Sequence, residues 1–170
     1  AGYLESYRGI ELDPVTVDII ETPGHAAGHL SFLFREPDVL LLGDYDLSSF
    51  GPWYGDVGSS IEETMDSIAY LKEIGAGTCL ASHEQGIFLH PEKEWEEYSG
   101  IIDKREEKIW ELLSSPQTID TLVDSWIIYG KPKEPLEFYQ FGERAHIIKH
   151  LDRMVAKGEV ISDGVNFQKS

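Results

Sequence analysis

Three short apolar stretches in the first half of the chain share one habit: each ends at a side chain able to bind a metal ion. Residues 15–20, VTVDII, alternate apolar and polar positions and are rich in β-branched residues, so they predict a strand. The segment ETPGHAAGH that follows is a loop, punctuated by Pro-Gly and loosened again at Gly28. LSFLF (30–34) predicts a second strand, REPD turns the chain, and VLLLGD (39–44) is a continuous apolar run such as a buried strand shows. DLSSFGPWYGDVG is a long Gly-, Pro- and aromatic-rich loop, a composition that lines sites more often than it fills a core. GTCLASH (77–83) predicts one more buried strand, and EQGIFLHPE is expected as loop.

Between the last two strands the period changes from two to about 3.6. SSIEETMDSIAYLKEIGA offers a Ser cap, Glu in the first turn, Ile61, Met65, Ile68, Leu71 and Ile74 on one stripe, and Gly75 as a stop. From about 92 to 113 the pattern is helical again, with a weak point at Gly100. Beyond it the chain changes character. REEKIWELLSS and TIDTLVDSWII read as short helices joined by SPQ, with Thr118 capping the second. GERAHIIKHLDRMVAKGEV is a third helix stopped at Gly158, and EVISDGVNFQ alternates around Asp163-Gly164, a hairpin signal. Three helices followed by a two-stranded ribbon is the order of a winged-helix module. The expected division is 1–100 and 101–170.

Composition changes this picture in two places. With 41% hydrophobic and 26% charged residues the chain can bury a core, and it holds no apolar run long enough to span a membrane. The formal charge of −17 is concentrated: residues 1–100 carry a net −15 and residues 101–170 a net −2. Such an acidic first half repels phosphate backbones and argues against nucleic acid as its partner. The single cysteine, Cys79, lies in the apolar run TCLAS and reads as a buried structural thiol; the absence of a disulfide framework fits a reducing, cytoplasmic setting. The start, AGYLESYRGIELD, shows neither a signal peptide nor an initiator Met, so the chain is expected to begin partway into a longer gene product.

The candidate chemistry stands at the strand ends: His25 after the first, Asp44 after the third, His83 after the last. If those strands lie side by side and parallel, their carboxyl ends form one rim, where open sheets place ligand sites. Imidazole and carboxylate together suit zinc, iron or manganese better than magnesium or calcium.

These residues resemble a family. TPGHAAGH is similar to the Thr-Pro-Gly-His-Thr-x-Gly-His segment of the metallo-β-lactamase fold hydrolases, LLGD to that family's strand-ending Gly-Asp, and ASHEQG to its Ser-His-Gly. The resemblance implies that His25 is a ligand of one metal, that Asp44 bridges two, and that His83 is a ligand of the second. It implies two zinc ions per complete site, with iron or manganese as alternatives, whose pairing lowers the pKa of a bridging water. The family's upstream His-x-His-x-Asp-His motif is missing: the six histidines are 25, 29, 83, 90, 146 and 150. The resemblance therefore covers the C-terminal half of an αββα sandwich, an α/β (α+β) fold, over about residues 1–95. The extension is similar to the winged-helix tail of one branch of the family, whose opening Arg-Glu pair is matched by Arg105 and Glu106. Each metal would have two ligands from this chain where catalytic zinc typically takes about three. The other half is expected from the same gene or from a separate chain.

The remaining candidates have plainer readings beside the functional ones. His29 is read as a brace of the loop rather than a fourth ligand. His90 reads as a helix-entry loop residue, and His146 and His150 as a surface or interface pair. Phe50, Trp53 and Tyr54 are candidates for a substrate wall beside Asp44, against packing on the next helix. Lys149, Arg153 and Lys157 recur along the third tail helix, diluted by Glu143, Asp152 and Glu159, and read as a packing or dimer face. The leading expectation is part of a cytoplasmic dinuclear hydrolase acting on a small ester or thioester, with Asp44 as its central catalytic residue; a homodimer is compatible with it. The rivals are a non-catalytic winged-helix protein, with protein or nucleic-acid contacts and a vestigial hydrolase half, and one chain of a split enzyme.

Overall fold

A computed structural model describes residues 6–83 and 86–170, with the side chains of 6–8 left aside. The expected N-terminal start, the opening of the 1–100 division and the Glu-Gln of ASHEQG lie in part outside those residues. The chain divides into two compact units, Ala1–Ile101 and Ile102–Ser170.

The first unit is built on a six-stranded sheet. β1 (Ser6–Leu12), β2 (Val15–Glu21), β3 (Leu30–Phe34) and β4 (Val39–Gly43) form an antiparallel meander. α1 (Ile61–Ile74) then crosses over to β5 (Thr78–Ala81), which runs parallel to β4, and β6 (Ile87–Leu89) returns antiparallel at the edge. Sheet order follows chain order. α1 begins where the sequence predicts: Ser60 accepts the Glu63 N–H, and Gly75 ends the helix in the left-handed region at φ 67°. α2 (Glu92–Leu112) runs unbroken through Gly100, since one glycine weakens a helix without stopping it.

Two expectations need correction. The strands that end at His25 and Asp44 run in the same direction but are not neighbours, because β3 lies antiparallel between them. The segment GIFLH is strand β6 rather than loop; its three apolar residues were too few to carry a period.

Alternation sorts the strands onto two faces. On one, Ile20, Leu33, Leu40, Leu42, Cys79 and Phe88 pack with Ile68 and Leu71 of α1 and Trp95 and Tyr98 of α2 into the core. Burial pushes the Cys79 thiol up to about 11, which leaves it protonated and inert. The opposite face carries the other register rows, Ile10–Val17–Phe34–Val39–Thr78–Leu89 and Ile19–Phe32–Leu41–Leu80–Ile87. Ten of those eleven positions are apolar; Val17 is buried, and Ile19, Phe32, Phe34, Val39, Leu41 and Leu80 are half-buried. At its margins Leu89 is 71% exposed, Ile87 58% and Ile10 38%.

In the second unit the end of α2 is followed by β7 (Gln117–Thr118), α3 (Ile119–Val123), α4 (Leu136–Ala156), β8 (Val160–Ser162) and β9 (Asn166–Lys169). The three short strands form one antiparallel sheet in the order β7-β9-β8. Thr118 and Thr121 close a capping box on α3. That helix is much shorter than TIDTLVDSWII predicts. Trp126 takes φ 50°, which a helix cannot continue, and the N–H groups of Ile128 and Tyr129 donate instead to the Glu143 carboxylate. α4 starts six residues ahead of the expected GERAH, immediately after Pro135.

His146 and His150 are not a surface pair. Both are fully buried, together with Glu143 and, nearly so, Arg105. His146 Nδ1–H donates to the Gly142 carbonyl at 2.8 Å, and burial beside the Arg105 charge pulls its pKa down to about 3. Glu106 gathers His150 Nδ1 at 3.1 Å, Arg153 at 2.5 Å and Lys157 at 3.1 Å. The basic stripe of α4 is thus largely spent inside its own unit.

Candidate metal centre

The loop between β2 and β3 is held before any ligand enters it. The Thr22 N–H donates to the His29 carbonyl at 3.0 Å and the His29 N–H to Ala26 at 3.1 Å, closing the turn. The Pro23 carbonyl accepts from Tyr45 Oη at 2.7 Å and from Ser67 Oγ at 2.6 Å. Gly24 sits at φ 123° against the first turn of α1, where a Cβ would overlap the Thr64 backbone nitrogen. A Pro-Gly pair is required here because helix backbone occupies the space a side chain would need.

His29 uses both ring nitrogens inside the protein. Nε2 accepts the Asp44 backbone N–H at 3.0 Å, so Nδ1 carries the proton and donates to the Thr22 carbonyl at 3.1 Å. The Thr22 hydroxyl lies 2.8 Å from the same nitrogen and 3.0 Å from Ser31 Oγ. Burial, then the neighbouring His25, lowers the His29 pKa and favours this neutral form. The ring therefore fixes the backbone of Asp44 and has no lone pair left for a metal.

His25 and His83 meet on the carboxylate of Asp44. His25 Nε2 is 3.5 Å from one carboxylate oxygen, and His83 Nε2 is 2.9 Å from the other. β2, β4 and β5 run in one direction, so the three residues that follow them share one rim. Behind His25, Nδ1–H donates to the Trp53 carbonyl at 3.3 Å, which leaves the Nε2 lone pair facing Asp44. Ser59 Oγ adds a 2.8 Å bond to the His25 carbonyl.

The donor types fit a transition metal better than an alkaline-earth ion. A lone pair facing a carboxylate oxygen at 3.5 Å is a gap that a cation relieves, and donors on one tetrahedral zinc stand about 3.3 Å apart. The His83 side is closed as a direct hydrogen bond, and its side chain is 61% exposed. Among the described residues no group of three such side chains is arranged as a ready metal cage. The fit is thus in chemistry and orientation, with too few donors.

A cavity of about 330 Å³ opens at the rim, lined by His25, Asp44, Asp46, Phe50, Gly51, Trp53 and His83. The rings of Phe50 and Trp53 stack at 6.5 Å and 27°, giving it an apolar wall. Tyr54 does not take part: it is fully buried, and its ring is absent from the lining. Gly51 fixes the wall loop, because at φ 85° its missing side chain admits Ile101 to within 2.6 Å of where a Cβ would be. Asp46 is a lining residue that sequence reading passed over; its spacing of two from Asp44 was the available signal. His90 is exposed at the end of β6, away from this lining.

No protein-family model matches the chain. A beta-lactamase-like protein 2 homolog of Caenorhabditis elegans is 28% identical over 120 residues, 71% of this chain and 39% of that protein. A metallo-beta-lactamase family protein from Thermus thermophilus superposes with a TM-score of 0.79 at 24% identity, covering 98% of this chain and 54% of the other. A beta-lactamase domain protein from Burkholderia ambifaria gives 0.71 at 15% identity, over 95% of this chain and 50% of its own. The chain spans about half the length of these solved structures and a smaller share of the worm relative. What the superpositions establish is the mixed α/β fold of that superfamily.

Proposed function

From that fold we propose that the chain is part of a metal-dependent hydrolase, with His25, Asp44 and His83 as this chain's share of a two-metal centre. The observation that carries the reading is the single carboxylate of Asp44 faced by two imidazoles from separate strands, at the mouth of a cavity with an aromatic wall. Zinc is the favoured ion, and when bound it supplies Lewis acidity and lowers the pKa of water. The protein's own residues do the rest. Asp44 holds the two histidine positions together, His29 fixes the Asp44 backbone, and the Trp53 carbonyl keeps the His25 lone pair pointed at the rim. Phe50 and Trp53 offer a surface to the apolar part of a small ester or thioester, while the acidic first unit disfavours polyanionic substrates. The second unit is read as a winged helix on its element order and three-stranded sheet, serving in protein contacts. A free, buried thiol suits the cytoplasm.

The test is metal analysis of the native gene product that contains this sequence, with hydrolysis of a thioester panel. Zinc retained at about two per site, with turnover, and both lost in Asp44→Ala, is the expected result. A metal-free protein that takes up no zinc on dialysis removes the reading.

A further inference from the structure

The cavity at the rim holds one carboxylate to which the metal-centre reading gives no role, that of Asp46. We infer that Asp46, together with the stacked rings of Phe50 and Trp53, is a subsite for a positively charged group, so that the ester or thioester taken here carries a quaternary or protonated amine. The inference rests on the hydrolase reading above and names the substrate class of the same site.

Asp46 is half-buried where it lines the cavity. Its Oδ1 accepts the Ser48 N–H at 3.0 Å, which fixes the side chain, and among the described residues its Oδ2 meets no donor. A carboxylate held in this way gains most from a charged donor. No lysine or arginine is among the described residues that line the cavity. Residues 1–100 carry a net −15, so the surrounding field also favours a cation.

The aromatic wall suits the same group. The two ring centroids are 6.5 Å apart and the planes 27° from parallel, so one ammonium can lie within about 6 Å of both, the range over which aromatic faces attract cations. Trp53 is fixed at two points: its indole Nε1–H donates to Asp56 Oδ2 at 3.0 Å, and its carbonyl accepts from His25 Nδ1 at 3.3 Å. A wall set in advance loses little freedom on binding. With that indole N–H spent, only the two histidines among the described lining residues carry further side-chain N–H groups. A polyol, which needs donors as well as acceptors, is poorly served by such a lining. The volume of about 330 Å³ holds a trimethylammonium head with a short acyl chain.

The experiment uses the native gene product that contains this sequence, loaded with zinc, and a matched pair of thioesters. One is acetylthiocholine; the other is its neutral isostere, with tert-butyl in place of trimethylammonium. In both, water gives its oxygen to the acetyl carbon, the C–S bond breaks, and acetate, a proton and the thiol are released. The cationic ester should show a KM about 30-fold below that of the neutral one at similar kcat. Asp46→Asn keeps an oxygen for the Ser48 N–H and removes only the charge, so the KM ratio should fall to near unity. Phe50→Leu, which keeps an apolar wall without the aromatic face, should lower the ratio several-fold. Calorimetry with tetramethylammonium supplies a readout free of turnover: it should bind the unaltered protein and bind Asp46→Asn at least about 10-fold more weakly. Equal KM values for the two esters, or a KM ratio that survives both substitutions, overturn the subsite and leave the hydrolase reading standing. So does loss of kcat on both esters alike in Asp46→Asn, which makes Asp46 part of the reacting centre. If neither ester turns over, tetramethylammonium binding that Asp46→Asn removes supports the subsite although the hydrolase reading has failed. No turnover and no tetramethylammonium binding overturn both.

Discussion

At the scale of single residues, the centre separates groups that would touch a metal from groups that hold them. Asp44→Ala should abolish zinc binding in the native product while moving stability by less than about 1 kcal/mol, since the side chain is part-exposed and its partners can turn to water; metal content and thermal melting check both halves. His29→Ala should do the reverse in weight. It strands the Asp44 N–H and the Thr22 carbonyl, at a cost of about 1–3 kcal/mol, with metal affinity falling as a consequence. The three candidate ligands were legible in the sequence because each ends an apolar run. Asp46, and the exclusion of Tyr54 from the wall, were not legible. Which side of an irregular loop faces a cavity depends on contacts such as Gly51 against Ile101, and no local period encodes them.

At the scale of elements, two helical glycines make opposite predictions. Gly100 lies inside α2 with nothing within 4 Å of where an alanine methyl would stand, so Gly100→Ala should stabilise by up to about 1 kcal/mol. Gly142 lies inside α4, where the same methyl would overlap Tyr129 Oη, so Gly142→Ala should destabilise by about 1–3 kcal/mol. Denaturant melts of the two variants decide it. The helices and central strands could be read from period and caps. The shortness of α3 could not, since it depends on the Glu143 carboxylate, fifteen residues away from the Ile128 N–H that it captures.

At the scale of the whole molecule, the second unit should be the acid-labile part. His146 is held neutral down to about 3, and burial likewise lowers His150, so both bind protons more readily once unfolded. The His146 contribution is complete above pH 6.5 and is lost as the pH falls from there toward 3, and His150 acts in the same direction. Burial raises the Glu106 carboxyl, but hydrogen bonds from His150, Arg153 and Lys157 outweigh it and hold it at about 2. That contribution is present above pH 4.5 and fades between 4.5 and 2. Glu143, raised by burial, acts in the opposite sense and offsets part of the loss. Melting temperature followed from about pH 7 to about pH 3, with backbone exchange read separately in 1–101 and 102–170, should show the second unit opening first.

The one parallel step in the sheet has a further consequence. Asp44 follows β4, His83 follows β5, and the wall loop, α1 and the approach to β5 form a single excursion that leaves the rim before β5 returns to it. The stretch carrying Phe50 and Trp53 begins only after Asp44 has been pinned from behind by His29. Its cavity-facing side chains can therefore be exchanged without shifting Asp44, while its backbone course is fixed by the Trp53 carbonyl and by Ser59, which hold His25. A lineage could change what the cavity accepts by replacing side chains such as Phe50 on that one excursion, with its backbone and the reactive centre inherited together.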